Sequence, residues 1–316
     1  MGTLNYNTLR PFSSTPKGLP RLIQPYEDIN GKIEGNTFQY QPSDAPGFWK
    51  DGGNLQGYTE DEMLYSVNEL GFRGNSIVKN EPILMTAGCS HTYGIGVRNN
   101  EVWGHVLSKD LGLYHINIGV GGIGCDSVVL LIKQFIEEGV IPNTLVVFWP
   151  HLNRKMLITD QVKKLDDQIT DFLIDPKVKF DPFIFQFAPD WDWAQAHEQK
   201  DLNSAIKGNL LQTKQQHLFD FWLYRELVIE LCARHNIQLI EAYNELDTSE
   251  YVKQNCNKKI PRLSLYTPAG QPGYGVDLAR DNMHFGAKSH SNLANKFALN
   301  NNINLIEVYD NSHIQG

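Results

Sequence analysis

Ser90 lies where the apolar run Ile83–Leu84–Met85 breaks off into the small-residue turn Gly88–Cys89–Ser90, with Gly94 and Gly96 just beyond it. A serine at such a turn is a candidate nucleophile for acyl transfer. That chemistry needs a base to take the hydroxyl proton, a carboxylate to orient the base, and hydrogen-bond donors aimed at the oxyanion. Asp281 and His284 stand three apart, just ahead of the last helical pattern. The spacing lets both side chains share one side of a turn, so the carboxylate can accept from one imidazole nitrogen while the other faces the serine. Donors come from Gly119–Val120–Gly121–Gly122–Ile123–Gly124, four glycines in six residues, whose backbone can approach a ligand closely. Asn153, after a third apolar run, adds a side-chain amide. Of the ten histidines, His91 follows the serine directly and reads as a turn or supporting residue, not as the base; His105, His115 and His290 carry no pattern of their own.

These residues need elements to hold them. Ile83–Gly88, His115–Ile118, Thr144–Trp149 and Ile237–Ile240 read as strands, and helical patterns between strands imply βαβ units and a parallel sheet. A helix of about ten residues follows Asn99–Asn100, with Asn100 as its cap and Val102, Trp103, Val106 and Leu107 as its apolar face. A second, capped by Asp126 or Ser127, carries the stripe Val128, Leu131, Ile132, Phe135 and Ile136 at helical spacing. A long helix over about 213–235 and a closing one over 287–299 complete the set. The expected fold is α/β, with a mainly parallel sheet of about five strands. Ligands collect at the carboxyl ends of such strands, where Ser90, the glycine loop and Asn153 all fall.

Around this frame, residues 1–57 read as an extended arm, rich in Pro, Gly, Ser, Asn and Gln, and 58–316 as the main domain. Tyr65–Gly74, punctuated by Gly71 and Gly74, reads as a hairpin. Regularity fails over about 155–212, an insertion in which Phe183, Phe185 and Phe187 alternate. That alternation favours a strand or flap folded onto the core over a substrate lid.

The 316-residue chain, 41% hydrophobic and 11% aromatic, can bury a large core. A net charge of −8 and a pI near 5.7 supply no basic field for nucleic acid. No apolar run approaches the roughly 18 to 20 residues that span a bilayer, and Met1–Tyr6 lacks the features of a secretory signal. Cys89, Cys125, Cys232 and Cys256 lie far apart, which suggests neither a zinc site nor a disulfide framework. Cytoplasmic synthesis, with no metal or cofactor, is the expectation.

The ordered set of blocks resembles the SGNH, or GDSL-type, hydrolases over about residues 65–300. Their Gly-Asp-Ser block is similar to Gly88–Cys89–Ser90, implying Ser90 as nucleophile with its own N–H in the oxyanion hole. Their Asn-x-Gly-x-Ser/Gly-Gly block is similar to Asn117–Gly122, implying Gly122 as a backbone donor. Asn153 best matches their amide-donating Asn, and Asp281–Asn282–Met283–His284 resembles their Asp-x-x-His, implying carboxylate and base. Asn68–Gly74 resembles a lead-in of many such proteins. The resemblance implies a flavodoxin-like α/β/α sandwich. Cys89 stands where the family has Asp, a position outside the catalytic roles. Pro150–His151–Leu152–Asn153–Arg154 lacks the Gly before Asn, which leaves His151 and Arg154 as alternatives for the third block. The first functional expectation is a metal-free serine esterase acting on small acyl esters, such as O-acetyl groups of a glycan. The second is a structural or glycan-binding module of an assembly such as a phage particle, its subunits tied by the arm. The third is an O-acyltransferase using the same residues.

Overall fold

Strands that are apolar along their whole length bury both faces, and so require helices on both sides. The computed structural model describes residues 37–38, 64–68, 71–78, 80–159, 183–187, 214–243, 277–280 and 284–300. Its elements are β1 (Thr37–Phe38), β2 (Tyr65–Ser66), β3 (Ile83–Gly88), α1 (Ser90–Tyr93), α2 (Trp103–Leu111), β4 (Tyr114–Asn117), α3 (Cys125–Glu137), β5 (Thr144–Trp149), β6 (Lys155–Thr159), β7 (Phe183–Phe187), α4 (Lys214–Arg234), β8 (Gln238–Tyr243) and α5 (Ala287–Asn300).

The central sheet is parallel, in the order β4–β3–β5–β8. Met85 stands beside Ile116 and Leu145, and Val146 beside Ile240. Every residue of β3 and β5 is buried. Their alternation sends Met85, Ile116, Leu145, Val147 and Trp149 toward Val128, Ile132 and Phe135 of α3 and Phe221 and Val228 of α4. Leu84, Val146, Phe148, Ile240 and Ala242 point the other way, toward Trp103 and Leu107 of α2 and Leu293 and Phe297 of α5. Each such side chain contributes about 1.5–3 kcal/mol by leaving water, and the result is a three-layer α/β/α sandwich.

Several expectations shift in detail. The sheet has four strands among the described residues, where about five were expected. Asn100 does not cap α2: it sits inside a 3₁₀ turn, Asn99–Glu101, and the N-cap is Val102. That turn closes instead through Glu101, whose carboxylate accepts the Arg98 N–H at 2.8 Å. The N-cap of α3 is Gly124, neither Asp126 nor Ser127. Asp126 falls in the first turn and accepts the Ser127 N–H at 2.7 Å, where a negative charge suits the helix dipole.

The hairpin forms, with Val67 bridged to Arg73 and the Asn68 side chain accepting the Phe72 N–H at 3.0 Å. Thr37–Phe38, from the expected arm, pairs antiparallel with β2. The alternating phenylalanines form β7, paired antiparallel with β6 so that Leu157 faces Phe185 in register. The rest of the arm, the rest of the insertion, Asp281–Met283 and 301–316 lie outside the described residues. No helix among the described residues is long and apolar enough to cross a membrane.

Several polar groups inside the sandwich are paired. Arg225 of α4 and Glu241 of β8 form a buried ion pair at 2.9 Å, and Glu241 also accepts the Trp149 indole N–H at 3.0 Å. His115 and Thr86 meet at 2.9 Å between Nε2 and Oγ1. His290 accepts the Trp103 N–H on Nδ1 at 3.1 Å, satisfying one of the donors that a helix start leaves without an internal acceptor.

Burial pushes both His115 and His290 down to about 3, aided at His115 by His105 and at His290 by Arg73 and His284, with Asp277 opposing. Both are therefore neutral when folded and charge near 6.5 when unfolded. The unfolded chain binds more protons below that pH, so stability is complete above about 6.5 and is lost as pH falls toward 3. Between pH 7 and pH 5 the pair should remove about 4 kcal/mol, about 2 from each. Urea unfolding across that range, with His290→Gln reducing the slope by about one proton, checks this.

Candidate active site

From Ile83 to Val97 every residue is buried except Ser90, which is half-exposed. The cause is local. β3 runs out at Gly88, and the chain turns at once into the single-turn helix α1, whose first residue is Ser90. The Thr92 and Tyr93 N–H groups donate to the Cys89 carbonyl, and those of Gly94 and Ile95 to the Ser90 carbonyl. The Ser90 N–H takes no part in these bonds, as expected of a first-turn donor. Cys89 points the opposite way, into the core with Met85 and Ile118, and its thiol is free and buried.

The glycine loop is laid against this turn. Asn117 of β4 spans the two: its amide donates to the Thr92 carbonyl at 2.9 Å and its oxygen accepts the Gly119 N–H at 2.8 Å. The Val120 N–H donates to the Gly88 carbonyl at 3.1 Å. A Cβ on Gly119 would stand 2.6 Å from the Tyr93 nitrogen, closer than real contacts allow, so only glycine lets the two backbones meet. Gly122 follows, half-buried and in the left-handed region at φ 81°.

The third block closes the other side. The Gly124 backbone abuts the Arg154 carbonyl, and the Cys125 thiol lies 3.6 Å from the Pro150 carbonyl. His151, Asn153 and Arg154 are all half-buried in the turn after β5.

The last block is tied to the serine turn through Gly96. Its carbonyl accepts the Arg280 N–H at 3.0 Å, while its own N–H donates to the Tyr65 hydroxyl at 2.7 Å. An antiparallel bridge between Leu278 and Phe285 closes the loop, with the Ala279 N–H donating to the His284 carbonyl at 2.9 Å. His284, half-exposed, is thereby set beside Ser90's neighbour: its ring lies 5.1 Å from that of His91. Asp281 lies outside the described residues.

The cap of α5 is a different carboxylate. Asp277 accepts the Lys288 N–H at 2.9 Å and the Ser289 N–H at 2.8 Å, and its backbone and side chain both bind the Ser289 hydroxyl.

Electrostatically the site is basic, although the whole chain is acidic. Burial first, then His284, His290, Arg154 and His151, push His91 well below 6.5, so it is neutral at neutral pH. Among the described residues no group of three or more His, Cys, Asp or Glu could hold a metal ion.

Two structural residues had passed unnoticed in the sequence. Arg73, 1% exposed, donates to the carbonyls of Tyr93, Gly94 and Val97 and to the Asn99 side chain. Its guanidinium lies 4.5 Å from the Tyr65 ring centroid and 5.4 Å from that of Tyr93. The only signal was its place in the lead-in block. Asp277 carried none, because it lies ten residues before the helix it caps.

No protein-family model matches the chain, and no curated protein matches it. Solved structures do. One, from Desulfitobacterium hafniense DCB-2, is described as a lipolytic protein of the G-D-S-L family; identity is 13%, covering 68% of this chain and 97% of that one, with a TM-score of 0.38. A second is a family 2 carbohydrate esterase with a carbohydrate-binding domain from Corynascus thermopiles (Myceliophthora fergusii), at 12% identity, 75% and 70% coverage and a TM-score of 0.38. A third is an acetyl xylan esterase from the rumen bacterium Butyrivibrio proteoclasticus, at 14% identity, 73% and 66% coverage and a TM-score of 0.37.

Removing the Arg73 guanidinium would leave three buried carbonyls short of a donor, at about 1–3 kcal/mol for each group that water cannot reach. Arg73→Met should lower stability by at least about 3 kcal/mol in urea unfolding. Arg73→Lys should recover less than half of that, since one ammonium lacks the planar fork of donors.

Proposed function

We propose that the protein is a serine-dependent ester hydrolase acting on small acyl groups, with O-acetyl groups of a glycan as the substrate class. The observation that carries this reading is the exposure of Ser90 alone in the buried run Ile83–Val97. The proximity of His284 to the same turn supports it.

In this mechanism His284 takes the Ser90 hydroxyl proton as Oγ attacks the ester carbonyl. The backbone N–H groups of Ser90 and Gly122 and the Asn153 amide hold the resulting oxyanion, each such donor being worth roughly 10²–10³-fold. The tetrahedral species collapses, His284 returns the proton to the departing alcohol, and an acyl-Ser90 remains. Water, deprotonated by His284, then releases the acid and restores the serine. Asp281 orients His284 and stabilises its imidazolium.

Two measurements test this. A fluorophosphonate should label Ser90 and nothing else, and Ser90→Ala should lower hydrolysis of nitrophenyl acetate and acetylated sugars by roughly 10⁴-fold or more. A folded wild type that neither labels nor turns over sinks the reading. Asp281→Asn should fold normally yet slow turnover by about 10⁴-fold through the wrong imidazole tautomer; an unchanged rate would remove Asp281 from the mechanism.

A further inference from the structure

His91 carries a buried nitrogen that does nothing for stability. It is 6% exposed, and its Nδ1 is fully buried with no hydrogen-bond partner. An unpaired buried nitrogen costs about 1–3 kcal/mol, so such groups in a native fold call for an explanation other than stability. A serine turn could be built with an apolar residue at this position at no such cost.

The surroundings supply the explanation. The ring of His91 packs on Phe285 at 4.7 Å between centroids, on Phe148 at 6.5 Å, and on His284 at 5.1 Å with 60° between the planes. Phe148 is the penultimate residue of β5, Phe285 sits in the bridge that closes the last loop, and His91 itself belongs to α1. The ring thus packs between the serine turn and the imidazole of the proposed base.

We propose that His91 is a positioning residue for His284, an aromatic wedge that fixes the orientation of the base relative to Ser90. The inference rests on the hydrolase reading for its kinetic consequence, though not for its geometry. The groups facing the wedge are His284 and His290 from the last loop and α5, and His151 and Arg154 from the turn after β5. All are basic, so a protonated His91 would oppose the imidazolium formed during turnover. Burial keeps the wedge neutral and removes that conflict. Misplacing a catalytic group by about 1 Å can lower a rate by about 10²-fold.

The test separates ring from nitrogen. His91→Phe keeps a ring and has no nitrogen to leave unpaired; His91→Asn keeps a polar group and has no ring. With nitrophenyl acetate, His91→Phe should keep kcat within about threefold. His91→Asn should lose roughly 10- to 100-fold in kcat, with KM within about twofold. In a His284→Ala background, His91→Asn should cause no further loss. A His91→Asn enzyme with wild-type kcat overturns the proposal. So does a His91→Phe enzyme that loses as much as His91→Asn, or a loss that persists without His284. His91→Gln, also ringless, carries the same test where His91→Asn does not fold. Crystal structures give a readout independent of turnover: the His284 ring should rotate away in His91→Asn and hold its place in His91→Phe. An unmoved ring in His91→Asn overturns the wedge whether or not the wild type hydrolyses esters.

Discussion

The buried guanidinium of Arg73 is the constraint on which the rest of the site depends. α1 has only four residues and ends at Gly94 in the left-handed region, so it is far too short to persist on intrinsic helix stability. Its end and the loop beyond it leave carbonyls without internal donors. Arg73 reaches in from the lead-in hairpin and satisfies those of Tyr93, Gly94 and Val97 together, and hydrogen bonds to a charged donor contribute about 1.5–3 kcal/mol each. Two tyrosine faces cover the charge. A sharp turn with a serine on its exposed side can therefore be rigid without a long helix behind it.

From that turn the other blocks are hung by a few hydrogen bonds. Asn117 attaches the glycine loop, and Gly96 attaches the last loop while leaning on Tyr65. Asp277 secures the start of α5. Asp277 caps that helix from ten residues before it. The histidines divide the work. His115 and His290 are spent on buried hydrogen bonds, whereas His284 remains half-exposed beside the serine turn.

A chain carrying −8 overall gathers basic groups at this one place. For His91 and His290 burial is the largest influence on their charge.

Strand and helix positions could be read from residue pattern, because periodicity in apolar residues reflects which side meets the core. Thr144–Trp149 forms as expected and the last helix within one residue at its end. The turn that carries Ser90 and the glycine loop were likewise recognisable, since turn chemistry is local. Caps were less accessible: Asn100 looked the better cap for α2, but Glu101 closes the preceding turn and His290 satisfies the Trp103 N–H from 187 residues away. Long-range partnership has no period and leaves no mark in the neighbouring residues. For that reason the burial of Arg73 under the serine turn, the choice of Asp277 as cap and the contact between His91 and His284 were decided only when the layers packed.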